Sequence, residues 1–454
     1  MAYSNGYSYY REIVVDNTKV IGSANHSNFT IVVSGVYSYL ADTSNSGLVE
    51  NPSGNLDIRF ELAGGTKLSH AIIEWVNTTG KVVFAVKIPT LYYSSDTTIR
   101  MYYGNSSLSS SEADPTNAFI SGTSLFMPLN ESSGTRYDIA GGNNTVTETS
   151  MGVGTGNLST NAADFEGSST PYSWVKSNDN ASLDITDNIT VTAWVKPESF
   201  IQWDCVVMKG RNASATNTTL NYGLEIGNGA GRFRMYWWDS AGTLNQRETV
   251  STSVVSTGSW QFIGARGTFG DGSDFDLWYN SSTVSAQWYL SGNNSNSVNA
   301  NSDALSIGAR RVNDTPDGEF DGMIAFLRIY NGILSDDWLQ TEYNNQNSPS
   351  TFYSVGSEIA APSSASFDLP VADLQTSVPT LQVILTENFN LPAGVVTPLS
   401  PDLAVVVSYA FNLPVAEVTV VSTPPSVSNY NFNCIWINYE KRAKRIRDNY
   451  YLTL

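Results

Sequence analysis

Two aspartates that alternate along one short segment are the strongest candidates for chemistry in this sequence. Asp274 and Asp276 lie two residues apart in SDFDLWYN, so an extended strand would place both carboxylates on one face. Cleavage of a glycosidic bond uses two carboxylates, one as the acid and one as the nucleophile or base. However, the sequence has no ExDxE, GxSxG, HExxH or P-loop motif. We therefore expect a non-enzymatic protein in which both aspartates face solvent, with a glycan hydrolase as an alternative.

The segment GRFRMYWWDSAG could supply a glycan-binding surface, because sugars bind to exposed aromatic faces beside polar groups. Period-two alternation places Phe233, Met235 and Trp237 on one face, which we expect to belong to the core. We expect the other face to point outward, next to residues of a later strand. The predicted carbohydrate-binding residues are Arg234, Tyr236, Trp238, Asp276 and Trp278. The alternative is that these side chains fill a second layer of a thick sandwich.

Two acidic turns could hold a structural calcium ion, which takes about six to eight oxygen ligands from carboxylates, amides and carbonyls. The first turn is RYDIAGGNN and the second is NDTPDGEFDG, and neither has EF-hand spacing. The residues that we expect to bind Ca²⁺ are Asp138, Asn143, Asp317 and Asp321. The alternative is that both turns are acidic because they face water.

The elements that must position these residues are strands. Short apolar runs such as residues 11–15, 72–76 and 82–88 are bounded by Asn, Gly and Ser, which is typical of an all-β chain. A short helix is predicted only at residues 335–344, where Ser335 can cap the first turn. No run of about 18 apolar residues occurs, so no membrane-spanning helix is expected.

Charge and cysteine content exclude several functions. The net charge is 24 − 42 = −18, and so acidic a protein repels phosphate backbones; nucleic acid is therefore not expected as a partner. Cys205 and Cys434 are far apart and neither belongs to a metal-binding pattern, so free thiols are expected. The length of 454 residues indicates two or three domains.

The first predicted β-sandwich spans residues 1–118. It contains an aromatic–arginine opening strand at residues 9–15, the strand DIRF at residues 57–60, and the closing segment TIRMYYGN at residues 98–105. In this order the segments resemble a domain family of unknown function found in prokaryotic and phage surface proteins. The resemblance implies a small sandwich and no known activity.

The second predicted sandwich spans residues 122–359. Alternating strands occur at residues 189–195 and 275–279. The ordered segments are LFMPLNESSGTRYDIAGGNN, AADFEG, ITVTAWVKP, GSWQFIGA, DFDLWYN, LSIGAR and FDGMIAFLRIYNGILSDDWLQTEYNN. They resemble the concanavalin A-like, laminin G-like family. The resemblance implies a lectin-like jelly roll, and that family includes both sugar binders and purely adhesive modules.

The remaining chain divides into a repeat array at residues 360–428 and a basic, aromatic tail at residues 429–454. FDLP or FNLP recurs every 22 residues, and Pro-bounded apolar strands keep the same period, which predicts β-rich repeats that need neighbours or partner chains. The predicted assembly residues are Phe367, Phe389, Phe411, Lys441, Arg442, Lys444 and Arg445. The alternatives are a proline-rich linker and a solvated tail.

These features together predict a virion surface protein of a bacteriophage, of the decoration, fibre or adhesion type. The N-terminus has neither the basic nor the apolar segment of a signal peptide, although the composition is that of an exposed protein. Residues 360–454 would contact other virion proteins or further copies of the chain, and the lectin-like domain would bind surface glycans. The alternative is a cellular adhesin or glycan-binding surface protein.

Overall fold

The computed structural model describes residues 3, 5–168, 170–210, 220–227, 230–289, 292–310 and 316–361. This part of the chain is built mainly of strands, so the all-β prediction is confirmed. The repeat array and the basic tail, with all seven predicted assembly residues, lie outside the described ranges. Within those ranges, no helix is long and apolar enough to cross a lipid bilayer.

The first sandwich contains two antiparallel sheets. Sheet I has the order β24-β1-β7-β3-β4, with β25 also paired to β1, where β24 is Tyr353–Val355 and β25 is Ile359–Ala360. Sheet II has the order β2-β6-β5. The strands from the N-terminal part of the chain are β1 Tyr9–Val15, β2 His26–Val36, β3 Ile58–Leu62, β4 Lys67–Leu68, β5 His70–Val76, β6 Lys81–Leu91 and β7 Thr97–Tyr103. The apolar run at residues 82–88 lies in β6, the central strand of sheet II, and is almost wholly buried. Phe60 of sheet I meets Phe84 of sheet II edge-on, with ring centroids 5.5 Å apart.

One buried carboxylate joins the second and third segments of the predicted first domain. Asp57 Oδ1 accepts hydrogen bonds from the backbone N–H groups of Glu50 and Asn51, at 3.0 and 3.1 Å. Asp57 Oδ2 accepts from the N–H groups of Gly104 and Asn105, at 2.8 and 2.6 Å. Gly104 has a φ of +80°, which a residue without a Cβ adopts at little cost. The DIRF and YYGN segments are therefore the two halves of one hydrogen-bonded corner.

The second sandwich also contains two antiparallel sheets. Sheet III has the order β10-β11-β23-β13-β18-β19-β20, with β8 paired to β23, and sheet IV has the order β21-β17-β16-β15-β14-β22-β12-β9. The strands are β8 Thr123–Met127, β9 Thr145–Thr149, β10 Gly152–Thr155, β11 Asn161–Phe165, β12 Trp174–Ser177, β13 Asn188–Pro197, β14 Trp203–Lys209, β15 Tyr222–Gly227, β16 Arg232–Trp238, β17 Leu244–Thr249, β18 Gln261–Thr268, β19 Asp276–Tyr279, β20 Ser282–Val284, β21 Ala286–Trp288, β22 Leu305–Ile307 and β23 Gly322–Asn331.

The predicted alternation of the second sandwich is confirmed. Every second residue of β13, from Ile189 to Val195, lies in the core between sheets III and IV. Phe233, Met235 and Trp237 of β16 enter the same core from sheet IV. The ring of Trp237 lies 4.5 Å from that of Phe275, so the two sheets meet through aromatic contacts.

The chain returns to the first sandwich after completing the second. Helix α1, Asp336–Asn347, begins where predicted, with the Ser335 hydroxyl accepting from Trp338 N. It is followed by α2 Pro349–Phe352, β24 Tyr353–Val355 and β25 Ile359–Ala360. Strand β24 pairs with β1, with Tyr353 opposite Val15, so both final strands extend sheet I. The boundaries at residues 118, 122, 359 and 428 stay predictions.

Candidate functional site

An open cleft of about 410 Å³ lies where β18 and β19 of sheet III approach the start of α1. Three half-exposed carboxylates line it: the side chains of Asp274, Asp276 and Asp336 are 59%, 50% and 58% exposed. Its remaining lining residues are Arg266, Gly267, Thr268, Ser273, Ile333 and Ser335. The cleft therefore combines three carboxylates with one arginine, three hydroxyl groups and one apolar side chain.

Arg266 of β18 fixes two of these carboxylates. Its Nε and Nη2 donate to Asp276 Oδ2 at 3.2 and 2.9 Å. Nη2 also donates to Asp336, and Nη1 donates to the carbonyl of Leu334. Arg266 is itself nearly buried, and its guanidinium lies 5.9 Å from the ring centroid of the buried Trp278. Since these contacts restrain the arginine, they also restrain Asp276 and Asp336.

Asp274 is held from the opposite sheet. Its Oδ2 accepts from Arg247 Nη2 of β17 at 2.8 Å, and its Oδ1 accepts from Trp288 Nε1 at 2.8 Å. Asp274 and Asp276 thus line one cleft and remain open to solvent, as their spacing predicts. In this cleft all three carboxylates are ordered hydrogen-bond acceptors with arginine partners.

The five residues predicted to form one sugar surface do not come together. Arg234, Tyr236 and Trp238 belong to β16 of sheet IV, whereas Asp276 and Trp278 belong to β19 of sheet III. Because the intervening residues of both strands fill the core, the two groups point to opposite outer faces of the sandwich. The expectation of a single surface is therefore wrong, and of these five only Asp276 lines the cleft.

The outward-facing position expected for Arg234 and Tyr236 is also wrong. Both are buried around Glu225 of β15, whose exposure is 0%. Arg234 Nε and Nη2 donate to Glu225 Oε2 at 2.9 and 2.7 Å, and Tyr236 Oη donates to Oε1 at 2.6 Å. Arg310 Nε lies 3.3 Å from Oε1. These side chains form the second layer that was the alternative expectation, and Trp238 is half-buried beside them.

Electrostatics explains how a charge is kept in this layer. Burial raises the pKa of Glu225, but the positive charges of Arg310 and Arg234 outweigh that effect and hold the pKa below its usual value. The guanidinium of Arg234 also lies 3.8 Å from the ring centroid of Trp203. The layer is therefore an ionic and aromatic packing layer with its charges already paired.

Sequence comparison finds two family matches in the chain. Residues 167–340 match the family model of the concanavalin A-like lectin/glucanases superfamily. The second sandwich has the concanavalin A-like fold. Residues 55–127 match a domain of unknown function, DUF2341. Both resemblances found in the sequence are confirmed, and no curated protein matches the chain.

Solved structures similar to this chain include toxin binding domains. The binding domain of Paraclostridial Mosquitocidal Protein 1 is 14% identical with a TM-score of 0.38, covering 49% of this chain and 52% of that one. The binding domain of Botulinum Neurotoxin DC in complex with SialylT is 10% identical with a TM-score of 0.36, covering 50% of this chain and 52% of that one. The chain thus spans about half of each toxin domain.

A further similar structure comes from Geobacillus stearothermophilus. Domain 4 of AbnA, a GH43 extracellular arabinanase, in complex with arabinotriose, is 18% identical with a TM-score of 0.31. The match covers 42% of this chain and 80% of that one.

The first predicted calcium turn of the concanavalin A-like sandwich is closed by its own hydrogen bonds. Asp138 Oδ1 accepts from the N–H groups of Phe126, Ala140 and Gly141, at 2.8, 3.1 and 3.0 Å. Asp138 Oδ2 accepts from Asn143 N at 2.9 Å and from Asn143 Nδ2 at 3.2 Å. The structure therefore brings Asp138 and Asn143 together, with both residues buried and the carboxylate surrounded by N–H donors.

The second predicted calcium turn is less compact. Asp321 Oδ1 accepts from Gly167 N at 3.3 Å and its Oδ2 accepts from the Ser199 hydroxyl, while Asp317 Oδ1 lies 3.4 Å from Arg310 Nε. In the part of the chain that the structure describes, no group of three or more His, Cys, Asp or Glu side chains is placed to hold a metal. Calcium binding by either turn stays a prediction.

Proposed function

We propose that the protein is a non-enzymatic surface protein whose concanavalin A-like sandwich binds glycans in the cleft of Asp274, Asp276 and Asp336. The observation that carries this proposal is the set of half-exposed carboxylates held in place by Arg247 and Arg266. Sugars carry many hydroxyl donors, and a carboxylate that is already oriented binds them at a low entropic cost.

The rest of the cleft suits the same ligand. Ile333 is 45% exposed and can pack against the C–H face of a sugar ring. The hydroxyls of Thr268 and Ser273 donate to Asn188 Oδ1 and Asp271 Oδ1, both at 2.6 Å, and their oxygens can still accept hydrogen bonds.

Binding of a panel of neutral oligosaccharides to the full chain would test the proposal. We expect the double variant Asp274→Asn/Asp276→Asn to bind at least about tenfold more weakly, because each amide presents one oxygen where the carboxylate presented two. Asp96→Asn, at an exposed residue of the first sandwich, removes a charge away from the cleft and should bind like the wild type.

Two outcomes would contradict the proposal. Equal binding by the double variant and the wild type would place the ligand elsewhere, and no binding to any glycan would remove the function. Release of reducing ends by the wild type, lost in Asp276→Asn, would instead favour the glycan hydrolase.

The proposed setting of this module is the surface of a phage particle, with residues 360–454 mediating assembly. Support comes from the sequence: the 22-residue repeat, the basic tail, and the resemblance to a domain family found in prokaryotic and phage surface proteins. A chain truncated after Ala360 should fail to enter particles. Its normal incorporation would refute the anchoring role, and a cellular surface adhesin would then be favoured.

We also propose that the two acidic turns bind calcium as a structural ligand. If it binds there, a chelator should lower the melting temperature of the wild type, and Asp138→Asn or Asp321→Asn should reduce that effect. No change on chelation would remove calcium from the proposed function.

A further inference from the structure

The ammonium group of Lys209, the last residue of β14, is fully buried and surrounded by oxygen atoms. Its Nζ lies 2.9 Å from Asp179 Oδ1 and 2.8 Å from Asp184 Oδ1. It also lies 3.0 Å from the backbone carbonyl oxygen of Asn301, 3.2 Å from Asn301 Oδ1, and 2.7 Å from the carbonyl oxygen of Asp303. Two carboxylate oxygens and three carbonyl oxygens thus enclose one positive charge.

The register of sheet IV brings these groups together. Strand β22 lies between β12 and β14, and Leu305 pairs with both Ser177 and Lys209. Asp179 follows Ser177 by two residues, and Asp303 precedes Leu305 by two residues. The loops at this end of the three strands therefore converge on Lys209.

The oxygens around Nζ outnumber its hydrogen atoms. An ammonium has three N–H donors, whereas five oxygens lie within 3.2 Å of the nitrogen. The oxygens therefore surround the charge more completely than three directional hydrogen bonds require. Carboxylate, amide and backbone carbonyl oxygens are also the donor types that a hard divalent cation takes.

We propose that this end of sheet IV is a cation site that the protein fills with its own ammonium group, and that removing Lys209 would open it to Ca²⁺. The two aspartates exceed the charge of Lys209 by one unit, so a divalent ion would neutralise them in full. In the native protein, Lys209 holds the loops of Asp179, Asp184 and Asp303 together whatever the calcium concentration.

The site should discriminate between divalent ions. Calcium accepts irregular coordination by about six to eight oxygens, so the five protein oxygens could be completed by water. The distances of 2.7–3.2 Å to Nζ would have to shorten only modestly to reach calcium–oxygen lengths of about 2.3–2.6 Å. Magnesium requires a nearly ideal octahedron at about 2.0–2.1 Å, so oxygens that lie 2.7–3.2 Å from Nζ would have to contract further for it than for calcium.

Two substitutions in the full chain would separate charge loss from metal binding. Lys209→Ala removes the side chain and leaves room for an ion with its water. Lys209→Met removes the charge too, but its terminal methyl occupies the space beside the Nζ position. In a chelator, both variants should melt roughly 6 °C or more below the wild type, because they leave two aspartates without their cation.

The calcium response then decides the proposal. About 10 mM Ca²⁺ saturates sites of the weak extracellular class. It should restore at least half of the loss in Lys209→Ala, while Mg²⁺ at the same concentration, or Ca²⁺ added to Lys209→Met, should restore little. Asp184→Asn added to Lys209→Ala should abolish the recovery. Absence of recovery in Lys209→Ala, or equal calcium shifts in all three proteins, would overturn the proposal.

A refolding measurement covers the case in which Lys209→Ala does not fold in a chelator. Recovery of the native tryptophan emission on refolding with Ca²⁺, and not with Mg²⁺, would support the site. Failure to refold at any calcium concentration would overturn it.

Discussion

The side-chain amide of Asn345 in α1 forms two hydrogen bonds with the backbone of Val32 in β2. Asn345 Nδ2 donates to the carbonyl of Val32 at 3.0 Å, and Asn345 Oδ1 accepts from Val32 N at 2.6 Å. Two residues further along β2, Tyr353 Oη accepts from Ser34 N at 2.8 Å and donates to the carbonyl of Ser34 at 3.0 Å. Strand β2 is the edge of sheet II, so side chains here satisfy backbone groups that a neighbouring strand would otherwise pair.

The first prediction concerns this covered edge. Asn345→Ala should lower the free energy of unfolding by about 2–4 kcal/mol, because it leaves a buried N–H and a buried C=O of Val32 without partners. Urea unfolding of the full chain measures this change. Asn347→Ala alters the same helix at an exposed position and should stay within about 0.5 kcal/mol of the wild type. A loss in Asn345→Ala no larger than that of the control would contradict the role given to the amide.

The second prediction concerns the corner between the DIRF and YYGN segments. Asp57→Asn should cost about 2–4 kcal/mol, since an amide has one acceptor oxygen where the carboxylate accepts from four backbone N–H groups. The amide N–H₂ would also face N–H donors. The unfolding midpoint in urea provides the measurement, with Asp96→Asn as the control at an exposed residue of the same sandwich. Equal midpoints for both variants would count against the hydrogen-bonded corner.

The sequence predicted which face of a strand each side chain occupies better than it predicted which strands lie side by side. Alternation assigned Phe233, Met235 and Trp237 to the core correctly, because the side-chain period depends only on the strand itself. It could not place Tyr236 and Asp276 in different sheets, since strand order is not contained in local periodicity. The charged Glu225 between apolar neighbours was a signal for the second layer, but its pairing with Arg234 depends on the register of β15 and β16.

Strand order also could not be predicted for the cleft or for the pairing of the last strands with the first sandwich. The spacing of Asp274 and Asp276 predicted one shared face, yet the partners Arg247 and Arg266 come from different sheets. The pairing of β24 with β1 joins residues more than 300 positions apart in the sequence. Long-range contacts of this kind set the cleft and the covered edge, and no local pattern encodes them.

The third prediction concerns the ionic layer of sheet IV. Glu225→Gln should destabilise the protein by about 3–5 kcal/mol, because it leaves Arg234 and Arg310 buried without their shared negative charge. The matched control is Glu12→Gln, whose partner Arg100 is partly exposed like Glu12 itself, and its loss should stay below about 1 kcal/mol. Chemical denaturation of both variants compares the two pairs. Similar small losses of unfolding free energy in both variants would show that burial does not strengthen the ion pairs of the layer.

The fourth prediction is a pH dependence that arises at Asp204, the second residue of β14. Burial raises the pKa of Asp204 to about 7, the negative charges of Glu225 and Asp321 add to the rise, and the N–H groups of Gln202 and Ile201 oppose it. The folded state therefore holds the proton more tightly than the unfolded state, whose pKa is 3.8. The stabilisation is fully present below about pH 4 and is lost as the pH rises through about 7.

This loss of stability should be visible when the wild type is compared with Asp204→Asn. One pKa unit corresponds to about 1.4 kcal/mol, so the wild type should lose on the order of 3 kcal/mol relative to Asp204→Asn between pH 4 and pH 8. Asn cannot ionise, so groups that titrate elsewhere cancel in the comparison. Unfolding free energies measured across that range give the slope, and Asp187→Asn, at an exposed aspartate of the same sandwich, should keep the slope of the wild type. A wild-type slope that persists unchanged in Asp204→Asn would assign the pH dependence to another group.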